Sequence, residues 1–338
     1  MNRREIILGG AALAACSQGP APAQGMAPAF PMRRGVNLGN ALEAPAEGEW
    51  GYRIERAHLD AIAAAGFDGV RIPVRWTTHL CTGDEICADF FARIDEVLDW
   101  ALAAGLKAQL DLHHYEALLN LHDERRLIAP GARHKQRFLA IWSQIAARYA
   151  SLPDALMFEP MNEPNGRYWD GEALAALQAE VVAIIRKTNP SRPIVLGPAN
   201  WQNINALERW RLPSGENLYA SVHYYEPHAF THQNAEWLSP APRYERDWGG
   251  EADVAQVRAH IDAAAAWGRA HGASMQLGEF GVNARARLAQ RALWTAAVRE
   301  ACEAHGMGWC VWDFAGAFPL WDRVGGVWMP EMLEALFS

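Results

Sequence analysis

The chain is short of positive charge. Against 39 Asp and Glu it carries 31 Lys and Arg, a formal net charge of -8 at pH 7, and no run of five or more like charges occurs. A basic face for a phosphate backbone is therefore missing, and nucleic acid is not an expected partner. Long apolar runs are scarce as well. The one near the N-terminus, residues 6–15, is about ten residues long, where a membrane-spanning helix needs roughly 20. Cysteine is limited to positions 16, 81, 87, 302 and 310, whose spacings do not match a structural zinc site. The first strand-like run, "GVNLGN", is not the G-x-G-x-x-G of a dinucleotide-binding sheet. Tryptophan, by contrast, is abundant: 15 residues against 11 Phe. Indole is most useful where a flat apolar ring meets a half-polar ligand, and sugar rings are such ligands.

Residues 1–30 read as a leader and short linker rather than fold. Arg3 and Arg4 precede the apolar run, as in a signal peptide, and export follows as an expectation. Two processing routes stay open. "LAAC", ending at Cys16, resembles a bacterial lipobox, which implies a lipid anchor and a periplasmic or outer-membrane-anchored protein; cleavage after "APA", residues 21–23, would instead release it as secreted. Four cysteines then remain in an oxidising compartment. Cys81 and Cys87 flank a short polar loop and are expected to bridge; Cys302 and Cys310 pair or are buried thiols.

From residue 31 to 338 two textures alternate eight times. Apolar runs of strand length end at polar or aromatic clusters: "RRGVNLGN" (33–40), "FDGVRIPV" (67–74), "KAQLDLHH" (107–114), "ALMFEPMNEP" (155–164), "PIVLGPA" (193–199), "LYASVHYY" (218–225), "SMQLGEFGV" (274–282) and "MGWCVWDF" (307–314). Most are apolar on both faces, as parallel strands under helices must be. Between them, helical periodicity predicts helices near 54–65, 90–104, 135–149, 171–188, 204–209, 252–271, 286–305 and 329–337. Eight such units predict an α/β protein, a single-domain (β/α)8 TIM barrel, with a doubly wound open sheet as the alternative. A monomer is expected.

In such a barrel the reactive groups stand at the C-terminal strand ends. Those ends carry Asn37, Asn40, Arg71, His113, His114, Asn162, Glu163, Trp201, His223, Tyr225, Glu279, Trp312 and Asp313. Glu163 and Glu279 end strands three places apart, so they can approach a bound chain from opposite sides. Glycoside hydrolysis needs that arrangement, one carboxylic acid protonating the leaving oxygen and one carboxylate across from it. The competing reading of each Glu alone is an ion pair with a loop Arg.

The motifs "RGVNLGNALEAP", "GVRIPVRW", "LDLHHY", "MNEPN", "SVHYYEP", "LGEFGV" and "VWDF" together resemble glycoside hydrolase family 5, over about residues 34 to 330, and lie nearest a bacterial, cellulase-like endo-β-1,4-glucanase branch. The resemblance implies a retaining enzyme without cofactor or metal, with Glu163 as acid/base and Glu279 as nucleophile. It further implies support from Arg71, Asn162, His223 and Tyr225. Substrate contacts are implied for Asn40, Glu43, His113, His114, Trp201, Trp237 and Trp312. Of His113 and His114, one is expected to line the cleft and the other to pack; Trp50 and Trp76 are open between sugar platform and packing anchor. The polymer substrate implied is β-1,4-glucan, of cellulose type or mixed linkage, with β-1,4-mannan or glucomannan as the alternative. A remoter alternative is a metal-dependent barrel hydrolase using Asp111, the histidines and Asp313, and another is a binding protein that keeps the cleft without catalysis.

Overall fold

A computed structural model describes residues 29–119, 131–166, 168–169, 171–244 and 246–338; the leader, with Cys16, lies outside the described residues. Eight strands, β1 (Arg34–Asn37), β2 (Gly69–Ile72), β3 (Lys107–Asp111), β4 (Leu156–Glu159), β5 (Ile194–Leu196), β6 (Leu218–Tyr224), β7 (Met275–Phe280) and β8 (Gly308–Val311), pair in chain order into a closed barrel. Every pairing is parallel, and β1 against β8 closes the ring. The open-sheet alternative is thereby excluded.

Helices α1 (Arg56–Ala64), α2 (Ala88–Ala103), α3 (Glu116–Leu119), α4 (Arg133–Arg148), α5 (Gly171–Arg186), α6 (Ala199–Gln202), α7 (His228–Thr231), α8 (Glu251–His271), α9 (Leu288–Ala304) and α10 (Pro330–Phe337) fill the connections. The long ones bury one stripe each. In α2 it is Phe90, Phe91, Ile94, Val97, Leu98 and Ala101, the three-and-four spacing that aims side chains at one surface. Helix α8 stops at Gly272, whose φ of +62° is the left-handed turn that releases the chain into β7. A two-stranded ribbon, β9 (Trp321–Asp322) with β10 (Val327–Trp328), follows β8. Cys81 and Cys87 form a disulfide, while Cys302 and Cys310 are buried free thiols.

The strands are shorter than their apolar runs, and the residues left over form the mouth of the barrel. Nor are the strands apolar on both faces. Arg71, Gln109, Asp111 and Glu159 are fully buried and bonded to one another inside the barrel. Below them the floor is apolar: Phe30 and Met32 pack with Met157, Val195, Tyr219 and Cys310. Glycine makes that plug fit, since a Cβ on Gly69 would stand 2.4 Å from Met32 Sδ and 2.9 Å from the Lys107 carbonyl oxygen.

Candidate active site

Arg71 on β2 is the hub of the mouth. Its guanidinium donates to Glu159 (2.6 Å), to Asn37 (2.9 Å), to Asn162 (2.7 Å) and to Glu279 (2.7 Å), and pairs with Asp111 at 2.7 Å. Five partners for one planar cation fix the ring of residues around it. Burial by itself would lower the Arg71 pKa, but Asp111, Glu159 and Glu279 raise it well above its ordinary value. Likewise burial would raise Glu159, and the charge of Arg71 holds it below the usual carboxylate range.

Glu279 lies within β7, 5% exposed, and accepts from Arg71 on one oxygen and from the Tyr225 hydroxyl (2.9 Å) on the other. Burial pushes its pKa up to about 7, against the lowering pull of His223, Arg71 and Tyr225. The guanidinium therefore limits the rise rather than reversing it.

Glu163 departs from the expected placement. Strand β4 ends at Glu159, and Glu163 stands four residues later in the loop, at a φ of +46°. What holds it is a neighbouring turn. The Glu163 N–H donates to Gln202 Oε1 at 2.7 Å, and Gln202 belongs to α6, where residues Asn200, Trp201 and Gln202 all have positive φ. Asn162 N–H donates to the carbonyl of Leu112, the residue after β3, anchoring the same loop there. The Glu163 side chain keeps about a quarter of its surface open, 26%, toward the cleft. Its carboxyl nevertheless lies deep enough that burial raises its pKa to about 8, Arg71 opposing and Glu159 and Asp111 reinforcing.

The two acids meet across His223. Its Nδ1 is 2.8 Å from Glu163 Oε1 and 3.6 Å from Glu279 Oε2, and one carboxylate oxygen of each Glu and a ring nitrogen of His223 all lie within 4.8 Å of one another. Burial lowers the His223 pKa, which favours the neutral ring. His223 and Tyr225 both face the acids, across a register shift between Val222 and His223. Tyr225 is half-buried, and desolvation of its hydroxyl, with the charges of Glu279 and Glu163 nearby, raises its pKa well above ordinary.

These groups form the floor of a cleft of about 950 Å³. Asn40, Glu43, His113, His114, Trp201, Trp237 and Trp312 all line it, and so does Trp50. Both histidines line the cleft, against the expectation that one would pack away. Strand β3 ends at Asp111, so the two-residue alternation no longer governs positions 113 and 114. His113 bonds Asp111 (3.1 Å) and stacks parallel on Trp312, centroids 5.5 Å apart; His114 meets Trp50 edge-on. Trp76 is fully buried, its Nε1–H on the Asp111 carbonyl, and is a packing anchor. Glu43 caps the turn before α1 by accepting from the Asn40 and Ala41 N–H groups, and Asn40 donates to Asp313. Asp111 and Asp313 are thus committed to Arg71, His113, Asn40 and backbone N–H groups, not aimed together at a metal.

Glu159 and Gln202 were not singled out from the sequence, nor were His228, His232 and Phe318, which also line the cleft. For Glu159 a signal existed: an acid inside an apolar strand is buried and must be paired. Gln202 gave none, because its role depends on a turn that brings it back over β4.

Three comparisons bear on this geometry. The family model described as cellulase (glycosyl hydrolase family 5) matches residues 33–317. Endoglucanase H of Acetivibrio thermocellus is 32% identical over 91% of this chain, and cellulase/esterase CelE of the same organism is 28% identical over 89%. The chain spans 33% and 39% of those two proteins' lengths. Among solved structures, the endoglucanase Cel5A of Thermotoga maritima superposes with a TM-score of 0.84 at 38% identity, covering 90% of this chain and 97% of that one. On the extent of these matches, the chain belongs to glycosyl hydrolase family 5.

Proposed function

We propose that the chain is a retaining, endo-acting glycoside hydrolase that cleaves β-1,4-glucan, with Glu163 as acid/base and Glu279 as nucleophile. The observation that carries the reading is the closeness of the two carboxyl groups, one oxygen of each lying within 4.8 Å of one oxygen of the other. Inverting pairs stand about 6.5–9.5 Å apart to admit a water, and retaining pairs about 5–5.5 Å. The surroundings of the acids differ in the required sense. Burial raises both, and the hydrogen bonds of Arg71 and Tyr225 go to Glu279 and favour its ionised form, while Glu163 has no such donor pair among the described residues.

In the first step Glu163 gives its proton to the glycosidic oxygen while Glu279 attacks the anomeric carbon. The bond to the leaving oxygen breaks and a glycosyl ester forms on Glu279. In the second, Glu163 takes a proton from water, whose oxygen displaces Glu279 from the same carbon. Arg71 and Tyr225 hold Glu279 and receive it back as a leaving carboxylate. Asn162, fixed by Arg71, is placed for the sugar 2-hydroxyl, and Trp312 for the apolar face of the same ring. Each step balances without metal or cofactor.

Endo action is supported by the platforms. Trp50 follows β1 and Trp201 follows β5, opposite strands in an eight-stranded ring, and both are exposed on the cleft, 43% and 52%. A chain can therefore continue beyond the acids on both sides. Two of the proteins named above are endoglucanases and the third a cellulase/esterase, and Cel5A of T. maritima is also solved with mannotriose, so glucomannan and mannan belong in the assay panel. The test is product release from carboxymethyl-cellulose, mixed-linkage glucan, glucomannan and mannan. A steep viscosity drop with few reducing ends is expected on the glucans; stepwise loss of terminal sugars at constant viscosity would refute endo action. For mechanism, Glu279→Ala should lose several orders of magnitude in rate and, with azide, yield a glycosyl azide of inverted configuration. For location, the leader motif supports export, with lipidation at Cys16 as the anchored route; palmitate labelling lost in Cys16→Ala tests it.

A further inference from the structure

His223 has a second nitrogen that the mechanism above leaves unused. Nε2 is buried and, among the described residues, finds no hydrogen-bond partner. The same is true of the Ser221 hydroxyl, two residues back on β6, and of both ends of the Gln276 amide. These atoms are neighbours. Ser221 pairs in register with Gln276 on β7, and a Cβ on Gly278 would lie 2.5 Å from Ser221 Oγ and 3.1 Å from His223 Nε2. Glycine at 278 thus leaves the room beneath the two acids that the Ser221 hydroxyl and the edge of the imidazole occupy.

A neutral imidazole has one N–H and one acceptor nitrogen, and the bond made by one fixes the role of the other. Nδ1 stands 2.8 Å from Glu163 Oε1. In the free enzyme, before a glycosidic oxygen is there to take the Glu163 proton, that hydroxyl needs an acceptor, which Nδ1 can be only if the ring proton sits on Nε2. The Nε2–H then needs an acceptor of its own, in a place too deep for bulk solvent. Buried polar atoms of this kind are met by internal water with about three bonds to protein; Nε2 and Ser221 Oγ, both against Gly278, are two unpartnered groups for it, and the Gln276 amide, across from Ser221 in register, is a third.

We propose that Ser221 is a positioning residue which, through one buried water beside Gly278, accepts the Nε2–H of His223 and so keeps Nδ1 free to accept the Glu163 hydroxyl. The proposal rests on the reading of Glu163 as the acid. Ser221 touches no substrate; it acts by selecting the histidine tautomer that matches a protonated Glu163.

Two measurements test it. In ¹⁵N-histidine-labelled protein, two-bond proton–nitrogen correlations report the tautomer, with His223 assigned from its loss in His223→Asn. Wild type should show the Nε2–H form, and the Nδ1–H form in wild type would overturn the proposal without any engineered serine. In kinetics, Ser221→Ala should move the alkaline limb of the kcat/KM profile to lower pH and leave the acid limb in place. A shift of about half a unit makes a threefold loss at pH 9 with little change at pH 6.5. Ser221→Thr, which keeps the hydroxyl, should restore the limb. A Ser221→Ala profile superimposable on wild type, with only thermal stability lowered, would reduce Ser221 to a packing role and overturn the inference. No hydrolysis of any glucan by the wild type would instead refute the enzymatic reading, and the tautomer measurement would still judge Ser221 by itself.

Discussion

Replacing Tyr225 by Phe removes one oxygen, and its effect on the pH profile can be worked out beforehand. The Tyr225 hydroxyl donates to Glu279 Oε2 at 2.9 Å in a part-buried site and favours the ionised carboxylate. A hydrogen bond to a charged group contributes about 1.5–3 kcal/mol, and 1.36 kcal/mol is one pKa unit, so a rise of about one unit is a cautious expectation for Glu279. On the proposed roles the free enzyme is competent when Glu279 is ionised and Glu163 protonated, so Glu279 sets the acid limb of the kcat/KM profile and Glu163 the alkaline limb. Raising Glu279 by one unit costs up to about tenfold on the acid limb and little on the alkaline side. The ratio of kcat/KM at pH 8 to that at pH 6 should therefore rise several-fold, whatever pH-independent loss accompanies it. The sign is fixed: a raised nucleophile pKa moves the acid limb to higher pH, and the alkaline limb, set by Glu163, stays. The assay is initial-rate hydrolysis of an aryl cello-oligosaccharide across pH 5–10. A uniform loss at every pH, or movement of the alkaline limb alone, would refute the assignment of Glu279 as the group held by Tyr225.

The exposed platforms should matter by chain length. Trp201→Ala and Trp237→Ala are each expected to lower kcat/KM on cellopentaose by about tenfold, the worth of roughly 1.4 kcal/mol of ring stacking, while leaving a short aryl cellobioside much less affected; equal loss on both would argue for packing anchors. At the floor, Gly69→Ala forces a methyl against Met32 and the Lys107 carbonyl and should destabilise by about 1–3 kcal/mol in urea, whereas unchanged stability would mean that the plug yields freely. The Cys81–Cys87 bridge spans a sequence separation of 6, and the chain-entropy cost of so short a loop is about 2 kcal/mol, so Cys81→Ser with Cys87→Ser should lower the unfolding midpoint without altering kcat. Changed catalysis with unchanged stability would show that the bridge shapes the cleft instead.

Periodicity sufficed for the order and number of the barrel strands and for the long helices between them, because a strand buried on both faces and a helix buried on one leave different hydrophobic spacings in the chain; the four-residue helices α3, α6 and α7 and the β9–β10 ribbon are too short to leave such a mark. It sufficed too for the residues of the mouth, since Arg71, Asn162, Glu163, His223, Tyr225, Glu279 and Trp312 are polar or aromatic groups standing where apolar runs stop. Spacing could not place Glu163, which owes its position to the Gln202 amide and a left-handed turn rather than to β4. Nor could it show that His113 and His114 both face the cleft, because the early end of β3 suspends alternation there. The pairing of Glu159 with Arg71, the separation of the acids and the niche shared by Ser221 and His223 lay further out of reach. Those features join residues remote in the chain, and their energies depend on burial and on distances of a few ångströms, which exist only once the ring of strands has closed.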